Sequence, residues 1–468
     1  MEEMEEKDGK DRLPVAIIGA GPVGLAAAAH LIARGEEPLV LEAGSRVGSS
    51  IREWGHVRLF SPWRYVVDSA SAALLAATGW ESPDAGDHPT GNDLLDLYLE
   101  PLAATPPLRD RIRLGTRVEA VSRQGYDKMR TAGRERAPFA LQVRGEEGCG
   151  EVILARAVID ASGTWRRPNP LGSGGVPAAG ERALAARIFY GIPDALGAHR
   201  ARYASRRTAV VGSGHSAFNA LLDLIALGEE APGTEITWVI RRPTLDGLFG
   251  GGEKDALAAR GRLGDRVRGL VESGRLRVAA GFKVTELRAG EEGVTLIGEG
   301  HALPPVDEVV AATGFRPDLS LASELRLSLD PAVESPVALA PLIDPNVHSC
   351  GTVRPHGAEE LKQPEEGFFI VGMKSYGRAP TFLLLTGYEQ VRSVVAALAG
   401  DWRAAREVHL ELPETGVCSL APLAKAVETA AACCAPSCCG CEDASPATYR
   451  RAEASPRSPP APPSSTWH

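Results

Sequence analysis

One pattern occurs twice in this chain and leaves few folds open to it. Residues 13–18 form a short apolar run, partly β-branched, which reads as a buried strand. A glycine turn (GAGPVG) and a helical segment ending at Gly35 follow, then a second strand, PLVLEAG. From residue 208 the order returns: a strand, the turn GSGHSA, a helical stretch, and the strand TEITWVIRR. The endings match as well, AVIDASGTW at 157–165 against EVVAATGFRPD at 308–318. Strand, glycine turn, helix and strand in about thirty residues is the opening of a dinucleotide-binding unit, and its repetition predicts two of them.

Each glycine of the first turn has a physical task. Gly19 permits the tight turn, Gly21 lets a pyrophosphate approach the backbone, and Gly24 lets helix and strand pack closely. Pro22, between Gly21 and the helix, is counted with these glycines in the cofactor-binding turn. The helix N-terminus then offers free N–H groups to an anion. Glu42, at the end of the second strand, suits ribose hydroxyls and repels a 2′-phosphate. The second turn carries Gly212 and Gly214, with His215, Ser216 and Ala217 where a third glycine could stand. Its second strand ends in Arg241 and Arg242. Guanidinium groups suit a 2′-phosphate, which favours NADPH over NADH; the alternative is two arginines at a strand's surface end.

The expected fold is therefore α/β, with two Rossmann-like domains. A discontinuous first dinucleotide-binding domain spans 13–170 and 320–411, and an inserted second one, the candidate for NADPH, spans 171–319. A Pro- and Gly-rich connector fills 166–200. Residues 1–12 read as a disordered lead. Residues 412–468, rich in Ala, Pro, Ser and Cys, read as a disordered tail. An apolar share of 44% and a charged share of 24% suit ordinary globular cores.

Composition excludes some partners. The net charge is −9 with no basic stripe, which argues against nucleic acid. No apolar run nears the ~20 residues of a membrane helix, and the acidic start lacks a secretory signal, so a cytoplasmic protein is expected. Oligomeric state is left open; a dimer is compatible with the sequence. No histidines pair at metalloprotease spacing.

Cysteine usage is lopsided. Cys149 and Cys350 are isolated, and the other six lie from Cys418 onward. Cys433, Cys434, Cys438, Cys439 and Cys441 could hold a soft thiophilic ion such as arsenite, or relay electrons; equally, they could be idle in a low-complexity tail.

The layout resembles the flavoprotein superfamily with two dinucleotide-binding domains, over residues 13 to about 400. The resemblance implies FAD at the first unit and the nicotinamide cofactor at the second. It implies that Gly44, Arg46, Gly48 and Gly372 line the FAD site and that Val118 meets the adenine. It places Ser162–Gly163 and Thr313–Gly314 where each half closes near its cofactor. Many members carry an Asp on the last strand of the FAD domain; GFFIVGMKSYGR has none. Disulfide reductases of the superfamily need a flavin-facing dithiol, yet residues 43–70 and 212–330 contain no cysteine. The monooxygenase branch has an FxGxxxHxxxY stretch before the second turn. Here Phe189, Gly191, His199 and Tyr203 match it with four extra residues between the halves.

More narrowly, the chain resembles the flavin-binding monooxygenases encoded in bacterial arsenic-resistance operons. The resemblance rests on GHVRLFSPWRY (55–65), VVGSGHSAFNALLDL (210–224), FGGG (249–252), GRAPTFLLLTGYEQVRSV (377–394) and LPETGVC (412–418). It implies O2 and a small-molecule or metalloid substrate. Trp54, Phe60 and Trp63 either wall the flavin or belong to the core. Arg58 and His199 are the catalytic candidates in a site where the flavin carries the chemistry. Two rival functions stay open: a reductase passing electrons through the tail thiols to a metal, metalloid or disulfide, and a non-catalytic metalloid-binding flavoprotein.

Overall fold

The computed structural model describes residues 13–410 apart from 146, 147, 149, 251–256, 349–352 and 381. The lead, the tail and all eight cysteines lie outside the described residues, and so do the readings placed on them.

The apolar run after residue 13 forms β1 (Val15–Ile18), every residue of it buried. Helix α1 (Pro22–Ala33) follows, then β2 (Pro38–Leu41). Four of the helix residues are buried alanines, and their small side chains let α1 lie close to the sheet. A helical segment begins at Gly91–Leu94, where Thr90 and Asp93 form a capping box. It continues through a π-helical stretch, Leu95–Leu99. The short strand β3 (Ile112–Arg113) comes next. An antiparallel sheet follows: β4 (Arg117–Arg123), β5 (Phe139–Arg144) and β6 (Gly150–Ala155). The next strand, β7 (Ala157–Asp160), returns to the centre of the first sheet.

The connector holds a strand that sequence reading missed, β8 (Ile188–Tyr190). Three residues are too few to show a period. The strand exists because it pairs with a neighbour more than a hundred residues later. The second unit then runs through β9 (Arg207–Val211), α2 (His215–Glu230), β10 (Glu235–Val239), α3 (Ala258–Glu272) and β11 (Arg277–Ala279). Beyond it lie a second antiparallel sheet, β12 (Glu286–Gly290), β13 (Gly293–Gly298) and β14 (His301–Ala302), and then β15 (Glu308–Ala311). The chain returns to the first sheet with β16 (Phe368–Ile370) and closes with α4 (Leu384–Leu398), packed on α1.

Both five-stranded sheets are parallel: β16-β7-β1-β2-β3 and β11-β10-β9-β15-β8. The two orders correspond, with β7-β1-β2-β3 answered by β15-β9-β10-β11 and the outer place of β16 taken by β8. The central strands are buried along their length, as expected of parallel strands covered on both faces. Ligands of such sheets bind beyond the carboxyl ends of the strands. No helix among the described residues is long and apolar enough to cross a membrane.

Candidate functional site

At the end of β1 the glycines do what the turn requires. Gly19 has φ +102°, and a Cβ there would lie 2.9 Å from the Ala161 carbonyl oxygen. A Cβ on Gly24 would stand 2.0 Å from the Gly19 oxygen. Gly21 differs: a Cβ there would meet nothing within 4 Å, because it borders a cavity. Gly21 is also the N-cap of α1, without a side-chain cap, so the first N–H groups of the helix face that opening. An uncapped helix start, a bare backbone and open space fit a dinucleotide pyrophosphate.

Glu42 lines the same cavity. Its two oxygens accept from the Ala20 and Gly44 amides, each at 2.8 Å, so the carboxylate is fixed with lone pairs left for a ribose. Gly48, with φ +61°, borders the cavity beside it. Arg46 points elsewhere: it is exposed and pairs with Glu100 at 3.3 Å. Val118 is buried in one cluster with Ile18 and Leu41 and does not line the cavity.

The floor of this half holds a buried charge pair that sequence reading missed. Asp160, at the end of β7, accepts from Lys374 Nζ at 2.6 Å and from the Ser162 hydroxyl at 2.6 Å. Lys374 also donates to Ser162 Oγ at 3.0 Å. Both charged side chains are 1% exposed. Ser162, Gly163, Gly372 and Met373 reach the cavity directly above the pair. Lys374 thus stands two residues beyond Gly372, in the segment that lacks the acid many members carry. Gly372 donates to Gln390 of α4, which also meets Ser375 and His356. Burial pushes the His356 imidazole below its ordinary range, keeping it neutral in this network. The start of α4 enters the cavity through Leu383 and Leu384, so its dipole end faces the site.

The second turn repeats the first. Gly212 has φ +135°, and a Cβ would lie 2.2 Å from the Ala312 oxygen; Gly214 again faces open space. His215 and Ser216, at the start of α2, line the cavity with Asn219. The His215 ring lies 5.4 Å from that of Phe60, which supports packing over proton transfer as its task. Ala217 is fully buried. Arg241 is exposed in the bend after β10, and the Arg242 carbonyl accepts from Gly281. Thr313 donates to the Asn169 carbonyl at 2.6 Å, and Gly314 has φ +85°. Neither lines the cavity, but Phe315 does, stacked on Trp165 at 4.5 Å.

One cavity of about 470 Å³ therefore joins the two halves. Glu42 and Ser162 border it on one side, His215 and Ser216 on the other, with Trp54, Phe60, Trp165, Phe315 and Phe382 as walls. Trp54 and Phe60 are wall residues, whereas Trp63 is core, 4% exposed. Arg58 lines the cavity and donates to the His88 carbonyl. His199 does not reach it. Its ring packs on Phe189 at 4.9 Å and its Nδ1 accepts from the Asp194 amide at 3.0 Å. Tyr203, the last residue of that stretch, is buried. No group of metal-ligating side chains converges among the described residues.

Comparisons with known proteins agree with this architecture. A family model described as pyridine nucleotide-disulphide oxidoreductase matches residues 16–338. A ferredoxin–NADP reductase of Salinispora arenicola is 28% identical over 323 residues, 68% of this chain and 79% of that protein. Among solved structures, the bacillithiol disulfide reductase of Bacillus cereus has a TM-score of 0.61 at 21% identity, over 83% of this chain and 99% of its own. A flavin monooxygenase of Stenotrophomonas maltophilia, in a doubly substituted form, has a TM-score of 0.52 at 22% identity, over 83% and 98%. These two likenesses are likenesses of fold.

Proposed function

Because the chain belongs to the pyridine nucleotide-disulphide oxidoreductase family, whose members bind FAD and use NAD(P)H, we propose that it is an NADPH-dependent flavin monooxygenase. The observation that carries the reading is the cavity bordered by both glycine turns and walled by Trp54, Phe60, Trp165, Phe315 and Phe382. Bound FAD would accept a hydride from the nicotinamide and deliver electrons to O2, and the protein supplies binding, orientation and shielding. Gly19, Gly21, Gly24 and the start of α1 would hold the pyrophosphate, and Glu42 the ribose. Ser162, Gly163 and Gly372 would hold the rest of the flavin chain over the Lys374–Asp160 floor. His215, Ser216 and the bend at Arg241–Arg242 would hold NADPH. The aromatic walls keep water from the space between the two cofactors. The arsenic-operon resemblance of residues 55–65 and 377–394 supports a metalloid or another small soft nucleophile as the oxygen acceptor.

One comparison favours a second reading. Two Salinispora ferredoxin–NADP reductases, 28% and 27% identical, support an NADPH reductase that hands electrons to a protein or thiol acceptor. Full-length protein with its six tail cysteines replaced by serine separates the two. The monooxygenase keeps NADPH-dependent O2 uptake, and added arsenite lowers the share of oxygen released as peroxide. Loss of turnover in that variant, or anaerobic reduction of ferredoxin at a comparable rate, supports the reductase instead. A flavin that NADPH fails to bleach excludes both.

A further inference from the structure

Beside the cavity stands a group of cations that the flavin and nucleotide sites do not use. Residues 57–61 line the cavity, and the segment at 88–90 runs antiparallel to them. Leu59 donates to the Pro89 carbonyl at 2.8 Å, and the Arg58 guanidinium donates to that of His88. From the other half, α3 reaches the same loop: the Arg260 guanidinium lies 5.8 Å from the centre of the Phe60 ring. Arg262 is two residues further along α3. Arg262, Arg58 and Arg64 all act on His88, and burial and these charges hold its imidazole below the ordinary range. One carboxylate, Asp87, opposes them.

Among the described residues, Arg58, Arg64 and Arg262 form no ion pair with a carboxylate. All three are exposed; Arg64 only rests on the Tyr65 ring, 4.9 Å from its centre. Three like charges brought together against a single carboxylate repel one another, an arrangement that an added anion relieves.

We propose that Arg58, Arg64 and Arg262, gathered around His88 at the edge of the shared cavity, form a subsite for a compact oxyanion. Its ligand is a phosphate or carboxylate group. Two sources fit that chemistry: a phosphate of the nicotinamide nucleotide, or an anionic group on the substrate. Guanidinium groups match such oxygens two at a time, which a lysine cluster would not. The subsite draws one arm from each half, so an anion bound there also ties α3 to the loop at 57–64. The assignment of the second source rests on the proposed oxygenation at this cavity; the existence of the subsite does not.

The test titrates inorganic phosphate into the full-length, flavin-loaded protein, with binding read by calorimetry. Arg58 is left intact because it lines the cavity, and R64Q/R262Q is compared with the wild type. The visible flavin spectrum and Tm check that the variant is folded. Exposed charges are each worth a few-fold, so the double variant weakens phosphate binding by about tenfold, and R64K/R262K, which keeps the charges without the paired N–H groups, recovers only part of it. If the KM values for NADPH and NADH rise together in R64Q/R262Q, the nucleotide's pyrophosphate occupies the subsite. If both hold, the subsite serves an anionic substrate. Equal phosphate affinity in wild type and double variant, or no phosphate binding to the wild type, overturns the proposal. Because phosphate binding is read without turnover, its loss in a variant of a protein that takes up no oxygen would keep the subsite and refute the monooxygenase.

Discussion

The two halves of this chain repeat one backbone plan and differ in what they place beneath it. Gly19 leans on the Ala161 carbonyl and Gly212 on the Ala312 carbonyl, and Gly21 and Gly214 both open onto free space. At the third position the halves part. Gly24 has no room for a Cβ, whereas Ala217 carries one and is fully buried. They part again under the central strand. Asp160 stands opposite Ile18 in the first sheet, and Ala311 stands opposite Val211 at the matching place in the second. The first half thus keeps a buried ion pair below its ligand where the second is apolar. A turn's shape can be shared between two cofactor sites, and the charge around it is what separates them.

The largest effect tests that buried pair. Lys374→Met leaves Asp160 charged and without its partner, and costs about 3–5 kcal/mol of stability together with flavin retention. Adding Asp160→Asn to that variant removes the stranded charge and recovers most of the loss. Urea unfolding and the flavin content of the purified protein check both. Equal stability of wild type and Lys374→Met would remove the pair from the account.

Next comes the third glycine. Gly24→Ala drives a methyl group into the Gly19 carbonyl and costs about 3 kcal/mol or the flavin itself. The matching change in the second half, Ala217→Gly, costs roughly 0.5–1 kcal/mol through helix entropy and leaves NADPH binding in place. Similar losses in both would erase the distinction between the turns.

Much of this plan could be read from the sequence, because glycine turns are enforced by backbone sterics and leave their mark on adjacent residues. Gly19, Gly24 and Gly212 stand where any Cβ would strike a carbonyl, so their pattern survives as letters. The floor could not be read. Lys374 and Asp160 are joined across more than two hundred residues, and nothing local in GFFIVGMKSYGR announces the partner. The lack of an acid there was visible, but not that a lysine turns the charge over. Strand β8 was hidden for the same reason, since it exists through its pairing with β15. Trp165 and Phe315 each follow a strand end in a different half, and only the fold stacks them into one wall. His199 matched a motif by letters, yet its imidazole is committed to Asp194 and Phe189.

A third comparison concerns the ends of the second strands, Glu42 against Arg241–Arg242. R241Q/R242Q is expected to raise the KM for NADPH by about tenfold and to leave that for NADH unchanged. Steady-state kinetics with both nucleotides read this directly, and an equal rise for both would assign the arginines a structural task.

The smallest effect again sets a paired charge against one less well served. Asp223 in α2 is pushed up to about 6 by burial, with Arg266 acting against the shift. A carboxyl raised in the folded state adds stability below its unfolded pKa, and that stability is lost as pH rises through about 6. Asp223→Asn should therefore raise Tm at pH 8 and barely change it at pH 4. A gain of the same size at both pH values would contradict the assigned cause.

The central claim is that both cofactors meet in one cavity without a thiol between them. Anaerobic mixing of NADPH with flavin-loaded protein lacking all eight cysteines, followed by oxygen, tests it most directly. The account predicts that the flavin's visible band bleaches at the wild-type rate and that oxygen restores it, with one O2 taken up per NADPH. Bleaching or oxygen uptake that disappears with the cysteines would contradict it.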